Sequence, residues 1–339
     1  MNYIRCDNPG LFSFGAKENP SFRADHAILN VKKVGICGTD LHAFSGTQPY
    51  FSYPRILGHE LATEIFSIGK NLQGLRAGDQ VVLMPYINCQ VCAACKAGKT
   101  NCCQELKVFG VHVDGGMQEM ISFPARLLIK ANDLSLDEIA ITEPLAIGAH
   151  ALRRAQTKPG DTIVVMGCGP IGLGIIQLAK YIGAKVIAMD INEHRLRSAK
   201  EQFGADLIIH ALQNPADQVK DYTQGEYANT VFDATGSKQA IESGVAYMGH
   251  GGSYVLVGLY KGELTFSHPA IHAKEITLMS SRNATQQDFL FVMQALREKK
   301  INTSSYITKR VKAEAILNDF PAWSSPSSAE IKIVTEWGH

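Results

Sequence analysis

Residues 162–179 read Thr-Ile-Val-Val-Met-Gly-Cys-Gly-Pro-Ile-Gly-Leu-Gly-Ile-Ile-Gln-Leu-Ala, without a charged side chain. A run of this length could cross a bilayer. Four glycines and Pro170 interrupt it, and its pattern changes from a continuous β-branched stretch to helical spacing. A buried strand, a tight turn and a helix account for that change; a membrane helix does not. The turn, Gly167-Cys168-Gly169-Pro170-Ile171-Gly172, is a Gly-x-Gly-x-x-Gly set between strand and helix. Glycines there let the backbone approach a pyrophosphate, and the helix N-terminus offers free N–H groups and a positive dipole. Asp190 ends the next apolar run, 18 residues past Gly172. A carboxylate at that point bonds the ribose hydroxyls and repels a 2′-phosphate. NAD is therefore expected in preference to NADP, although Arg195 is near enough in sequence to serve a 2′-phosphate.

Further units of strand and helix follow. Apolar runs at 185–190, 207–209, 230–234 and 252–258 read as strands, and 193–203 reads as a helix. Such alternation builds a doubly wound parallel sheet. Up to about residue 145 the texture is different, with short alternating runs such as 27–32, 62–69 and 78–83 between Gly, Pro and Asp turns. These predict a β-rich, barrel-like domain. A helix at about 286–299 and a strand at 331–335 close the chain, and this tail is expected to return to the first domain. The expected division is 1–145 with 283–339, and 146–282, in an α/β chain of two domains.

Hydrophobic residues make up 45% of the 339 and charged ones 19%, an ordinary globular balance. A formal net charge of +1 favours neither nucleic acid nor an anionic membrane surface. The N-terminus has no apolar signal core, which suits a cytoplasmic chain whose thiols stay reduced.

Five of the eight cysteines lie in the run Cys-Gln-Val-Cys-Ala-Ala-Cys-Lys-Ala-Gly-Lys-Thr-Asn-Cys-Cys, beginning at Cys89. Thiolates are soft ligands, and zinc takes four of them in a tetrahedron. Two residues between successive ligands let Cys89, Cys92 and Cys95 aim at one ion while a longer arm brings in the fourth. This predicts a structural zinc lobe over about 86–106. Four thiolates close the tetrahedron and leave no position for substrate, so chemistry belongs elsewhere. A zinc-ribbon module for nucleic acid is the alternative from another class; the near-zero net charge and the lack of two separated Cys-x-x-Cys knuckles weigh against it.

Three further segments offer a mixed ligand set. Gly35-Ile36-Cys37-Gly38-Thr39-Asp40-Leu41-His42 places a thiol beside a hydroxyl, Gly58-His59-Glu60 gives an imidazole and a carboxylate, and Thr142-Glu143-Pro144-Leu145 adds an acid. Catalytic zinc needs about three protein ligands and an open position, which Cys, His and Glu can supply.

Taken in order, Gly-Ile-Cys-Gly-Thr-Asp, Gly-His-Glu, the cysteine lobe, Glu-Pro-Leu, Gly-x-Gly-Pro-Ile-Gly and the following Asp resemble the zinc-dependent medium-chain dehydrogenases/reductases. These include the alcohol, sorbitol and threonine dehydrogenases. The resemblance implies a GroES-like catalytic domain, a Rossmann NAD-binding domain, two zinc ions per chain and a homodimer or homotetramer. It implies that Cys37 and His59 ligate the catalytic zinc with Glu143 as third ligand or near neighbour. Glu60 would be a ligand in the sorbitol-dehydrogenase manner or an exchangeable group behind the ligands. Which glutamate binds at rest stays open. It further implies that Thr39 accepts the substrate's hydroxyl proton, with His42 as the next station, and that Cys103 rather than Cys102 completes the lobe. Cofactor contacts would come from Gly167, Gly169, Pro170, Ile171, Gly172, Asp190, Arg195, Thr235, Val257, Gly258, Leu259 and Ser281.

The segments 49–55, 110–116, 258–264 and 281–285 look like those of bacterial L-galactonate (L-gulonate) 5-dehydrogenases, which oxidise a hexonate to its 5-keto acid with NAD. A small polyhydroxy carboxylate asks for a cation and several donors. Arg282, Asn283 and His112 could provide them, with Tyr50 shaping the wall of the site. A polyol or L-threonine dehydrogenase is the competing reading within the family.

Overall fold

The computed structural model describes residues 1–48, 51–71, 73–325 and 328–338. It divides into two compact units, Met1–Pro144 with Tyr306–His339, and Leu145–Ser305.

In the second unit, six parallel strands lie in the order Leu207–His210, Lys185–Asp190, Thr162–Met166, Ala228–Asp233, Met248–Leu256 and Thr277–Ser280. Numbered along the chain this is 3-2-1-4-5-6, the doubly wound order whose switch point lies at the first strand. The uncharged run resolves into the strand Thr162–Met166 and the helix Pro170–Ile182. Its residues lack charge because both elements are buried: Ile163, Val164, Val165, Leu173, Ile175, Ile176 and Leu178 are all inaccessible. Val164, Met166, Ile187, Met189, Val231 and Tyr254 join one face of the sheet in a common core. No helix among the described residues is long and apolar enough to cross a membrane.

The boundary at which the chain leaves this unit differs from the expected residue 283. The helix Gln286–Arg297 stays with the second unit. Its buried Asp288 bonds His150 Nδ1 at 2.9 Å and accepts from Arg153 Nε at 2.6 Å, and Phe291 packs on Tyr181 with ring centroids 5.5 Å apart. A buried carboxylate tied to two basic groups holds the helix where those groups are, and the return falls at Tyr306 instead.

The first unit is built on a seven-stranded sheet. Its path runs Ile307–Lys312, Lys332–Glu336, His26–Ile36, Glu60–Ile68, Gln80–Leu83 and Leu128–Lys130, with Met120–Pro124 also paired to His26–Ile36. The two strands nearest the C-terminus are parallel to each other, and Lys332–Glu336 then pairs antiparallel with His26–Ile36. Ile333 lies opposite Ile36, and Gly35 opposite Glu60. Three strands distant in sequence thus bring Lys332, Cys37 and Glu60 to one end of the sheet.

Candidate active site and cysteine lobe

Cys37 follows the strand His26–Ile36 and caps the helix Gly38–Phe44 in a reciprocal box with Asp40. Its sulfur accepts the Thr39 N–H at 3.4 Å, and its own N–H donates to Asp40 Oδ2 at 2.9 Å. His59 and Glu60 stand where the neighbouring strand begins. One ligand atom each from Cys37, His59 and Glu60 lie within 4.8 Å of one another. Both His59 and Glu60 are buried, and His59 Nδ1 has no hydrogen-bond partner among the described residues. Burial alone would push His59 down. The charges of Cys37 and Asp40 outweigh it and hold the imidazole well above its usual pKa. A buried, anion-rich cluster that must otherwise take up a proton suits a cation.

Glu143 opens the helix Thr142–Arg154 and is buried as well. Burial raises its carboxyl to about 7, opposed by His59 and reinforced by Glu60. The buried Tyr86 hydroxyl donates to it. Glu60 is held differently: Lys332 Nζ donates to both of its oxygens at 2.7 Å. Gly35 makes room for that carboxylate, since a Cβ there would lie 2.2 Å from Glu60 Oε2. Sequence reading passed over Asp40, Tyr86 and Lys332. Asp40 sat inside a quoted motif without a role, and nothing local marks a lysine 272 residues from its partner.

In the lobe, the four sulfurs of Cys89, Cys92, Cys95 and Cys103 lie within 4.8 Å of one another, while Cys102 is exposed. The Cys89 N–H donates to Cys103 Sγ at 3.3 Å, and the Cys92 N–H to Cys89 Sγ at 3.4 Å. Backbone N–H groups of Gln104 and Cys95 bring the Cys92 thiol down to about 6, whereas burial and the adjacent sulfurs push Cys95 up to about 12. Thiols so arranged ionise together only around a cation, and the donor set fits zinc. Arg126 braces the lobe by donating to Asn88 O at 2.7 Å.

The glycine turn behaves as its spacing requires. Gly167 has φ +93°, and a Cβ on Gly172 would stand 1.8 Å from Gly167 O, so neither position accepts a side chain without rearrangement. Gly169, which has no side chain to cap the helix, stands at its N-cap with Pro170 in the first turn. Ile171 is half-buried in that turn. Asp190 Oδ2 accepts the Cys168 N–H at 2.6 Å and Oδ1 the Asn192 N–H at 2.9 Å. Arg195 is half-buried early in the helix Glu193–Glu201, close enough for its charge to act on Cys168.

Thr235, Val257, Gly258, Leu259 and Ser281 all follow the carboxyl ends of adjacent strands, where ligands meet a sheet of this order. Val257 and Gly258 both donate to Asp233 O at 2.9 Å, and Ser281 to Leu256 O at 2.8 Å. Leu259 is exposed, and Ser281 Oγ is buried without a partner among the described residues.

The suggested substrate residues are less uniform. Tyr50 lies outside the described residues. Asn283 has φ +54°, and its Nδ2 is buried without a partner among the described residues. Arg282 is exposed. His112 Nδ1 accepts the Val108 N–H at 3.0 Å, which braces its own turn. His42 is exposed, its Nδ1 3.0 Å from Thr47 Oγ1.

Comparison with known proteins places this geometry. Residues 23–133 match the model of the alcohol dehydrogenase GroES-like domain, and residues 170–298 that of the zinc-binding dehydrogenase. The chain is 43% identical to L-galactonate-5-dehydrogenase of Escherichia coli K12, over 91% of each chain. It is 33% identical to a probable D-xylulose reductase A of Aspergillus clavatus, over 85% of this chain and 84% of that one. Among solved structures it resembles the RspB alcohol dehydrogenase of Escherichia coli CFT073, complexed with cofactor NADH, at TM-score 0.92 and 29% identity over 99% of both chains. Galactitol-1-phosphate dehydrogenase of Escherichia coli gives TM-score 0.92 at 26% identity, over 99% of this chain and 100% of that one. The chain belongs to the zinc-dependent alcohol dehydrogenase family of oxidoreductases, with its GroES-like and Rossmann-type domains.

Proposed function

We propose that this enzyme oxidises a secondary alcohol of a sugar acid, L-galactonate or L-gulonate, to the 5-keto acid with NAD. The observation that carries the substrate is the 43% identity to an L-galactonate-5-dehydrogenase over nine-tenths of both chains. The chemistry is carried by the cluster of half-buried Cys37 with buried His59 and Glu60, and Glu143 beside it.

Zinc held by Cys37, His59 and a glutamate would acidify the substrate's hydroxyl so that its proton can leave near neutral pH. NAD would supply the two-electron acceptor. Asp40 orients Cys37 by accepting its N–H, and accepts the Gly58 N–H at 3.3 Å beside His59. Thr39, two residues past Cys37, takes the hydroxyl proton; His42 and its Thr47 partner carry it towards solvent. Asp190 receives the adenosine ribose, the N–H groups opening the helix Pro170–Ile182 receive the pyrophosphate, and Thr235, Val257, Gly258, Leu259 and Ser281 border the rest of the cofactor. Asn283, whose Nδ2 is buried without a partner among the described residues, donates to a substrate hydroxyl, and exposed Arg282 meets the carboxylate. The four-cysteine lobe holds a second, structural zinc.

The test is reduction of NAD and of NADP, side by side, with a panel of hexonates, polyols and L-threonine. The zinc-loaded protein should turn over L-galactonate or L-gulonate with NAD best. A preference for an uncharged polyol or for threonine would move the enzyme to another branch of the family. Failure with every secondary alcohol would remove the assignment.

A further inference from the structure

The two carboxylates at the candidate metal site are restrained in unlike ways. Glu143 accepts from the neutral hydroxyl of Tyr86. Glu60 faces an ammonium: Lys332 Nζ donates to Oε1 and Oε2 at 2.7 Å each and to Ile36 O at 3.0 Å. An ammonium has three hydrogens, and all three are accounted for. Lys332 is 2% exposed, Glu60 is fully buried, and the strands that carry them are fixed by the pairing of Ile333 with Ile36 and Gly35 with Glu60.

We propose that Lys332 is the positioning residue that keeps Glu60 from becoming a fourth protein ligand of the catalytic metal. This rests on the reading that Cys37 and His59 hold that metal. By proximity alone Glu60 would join them, since its carboxylate lies within the same 4.8 Å cluster. Lys332 opposes this in two ways. It engages both carboxylate oxygens, and it brings a positive charge beside the place a divalent cation would take. Lys332 offsets the charge of Glu60, so the anion-rich cluster presents one free carboxylate fewer to a divalent ion. Cys37, His59 and Glu143 then serve as ligands, and one position stays open for substrate. Losing Lys332 frees Glu60, leaves an extra negative charge, and draws the carboxylate onto the metal.

The experiment compares wild type, Lys332→Met, Lys332→Arg and the double variant Lys332→Met/Glu60→Gln. Zinc affinity is measured by competition with a chromophoric chelator, and ligand geometry by the visible spectrum of the cobalt(II) forms. Lys332→Met should bind the catalytic-site metal about tenfold or more tightly, the scale on which groups behind a ligand act. Its cobalt spectrum should shift and its turnover fall. Lys332→Arg, which keeps the charge, should resemble wild type. Unchanged or weaker metal binding in Lys332→Met, with an unaltered cobalt spectrum, overturns the proposal.

If the single variant does not fold, the double variant decides, because replacing both partners leaves no unpaired charge. It should hold the metal within a few-fold of wild type; loss of that metal would identify Glu60 as a ligand and overturn the proposal. Wild type that holds lobe zinc alone would instead overturn the metal-site reading, and the role of Lys332 with it.

Discussion

The Asp190 carboxylate accepts the Cys168 N–H at 2.6 Å, which ties the acid at the end of one strand to the glycine turn that follows its neighbour. The residue proposed to receive the ribose is therefore also a brace for the turn proposed to receive the pyrophosphate. Cys168 is fully buried, so this N–H has no water to fall back on.

Replacing Asp190 with Ala should act twice. NADH affinity should drop at least tenfold, and the stranded N–H should cost about 1–3 kcal/mol of stability. Asn keeps one acceptor oxygen, so Asp190→Asn should lose affinity with a smaller stability cost and should discriminate less against NADPH. Fluorescence titration with both cofactors and thermal melts would show it. Equal stability loss in both variants would deny the bracing role.

Cys102 and Cys103 are adjacent in sequence but not in environment: Cys103 is buried in the lobe, and Cys102 is exposed. Cys103→Ser should lower zinc content from two ions per chain to one and depress the melting temperature. Cys102→Ser should leave both ions in place. Metal analysis of the purified variants reads this directly, and loss of zinc from the Cys102 variant would reverse the assignment.

Thr39 donates its N–H to Cys37 Sγ, which fixes its backbone beside the candidate metal ligands. Thr39→Ala should reduce kcat about 10²- to 10⁴-fold, the usual worth of a positioned proton acceptor. Thr39→Ser should retain most of it. Cys37→Ser should abolish turnover while NADH binding persists. Full activity of the alanine variant would exclude Thr39 from proton transfer.

Asp288 is held far below the ordinary carboxylate range. Burial pushes it up, but the bonds from His150 and Arg153 pull it further down. A carboxyl depressed by folding stabilises above its unfolded pKa, near 3.9, and loses that contribution as pH falls through the folded value. Asp288→Asn should therefore destabilise by about 3 kcal/mol at neutral pH. The gap from wild type should narrow below about pH 4. Denaturant melts at pH 7 and pH 3 would test it, and a gap that does not change with pH would exclude the ion pair as its source.

Local spacing made much of this protein legible. The glycine turn, Asp190 and the four-cysteine run are short-range features, because a turn, a helix start or a metal knuckle is built from residues a few positions apart. Strand and helix centres were legible for the same reason. Their ends moved by a few residues, as at the strand Met248–Leu256, which was expected at 252–258.

What spacing could not supply was anything that depends on which distant strands lie side by side. Sequence by itself determined the two chemical textures, the parallel doubly wound sheet, the lobe and the types of ligand available. Tertiary structure decided that the helix Gln286–Arg297 belongs with the second unit, through a buried carboxylate bonded to groups some 135 residues away. It likewise decided that Glu60 faces Lys332 while Glu143 faces Tyr86. Each of these rests on a buried polar group finding its partner, and the sheet register that brings the partners together is a property of the folded chain as a whole.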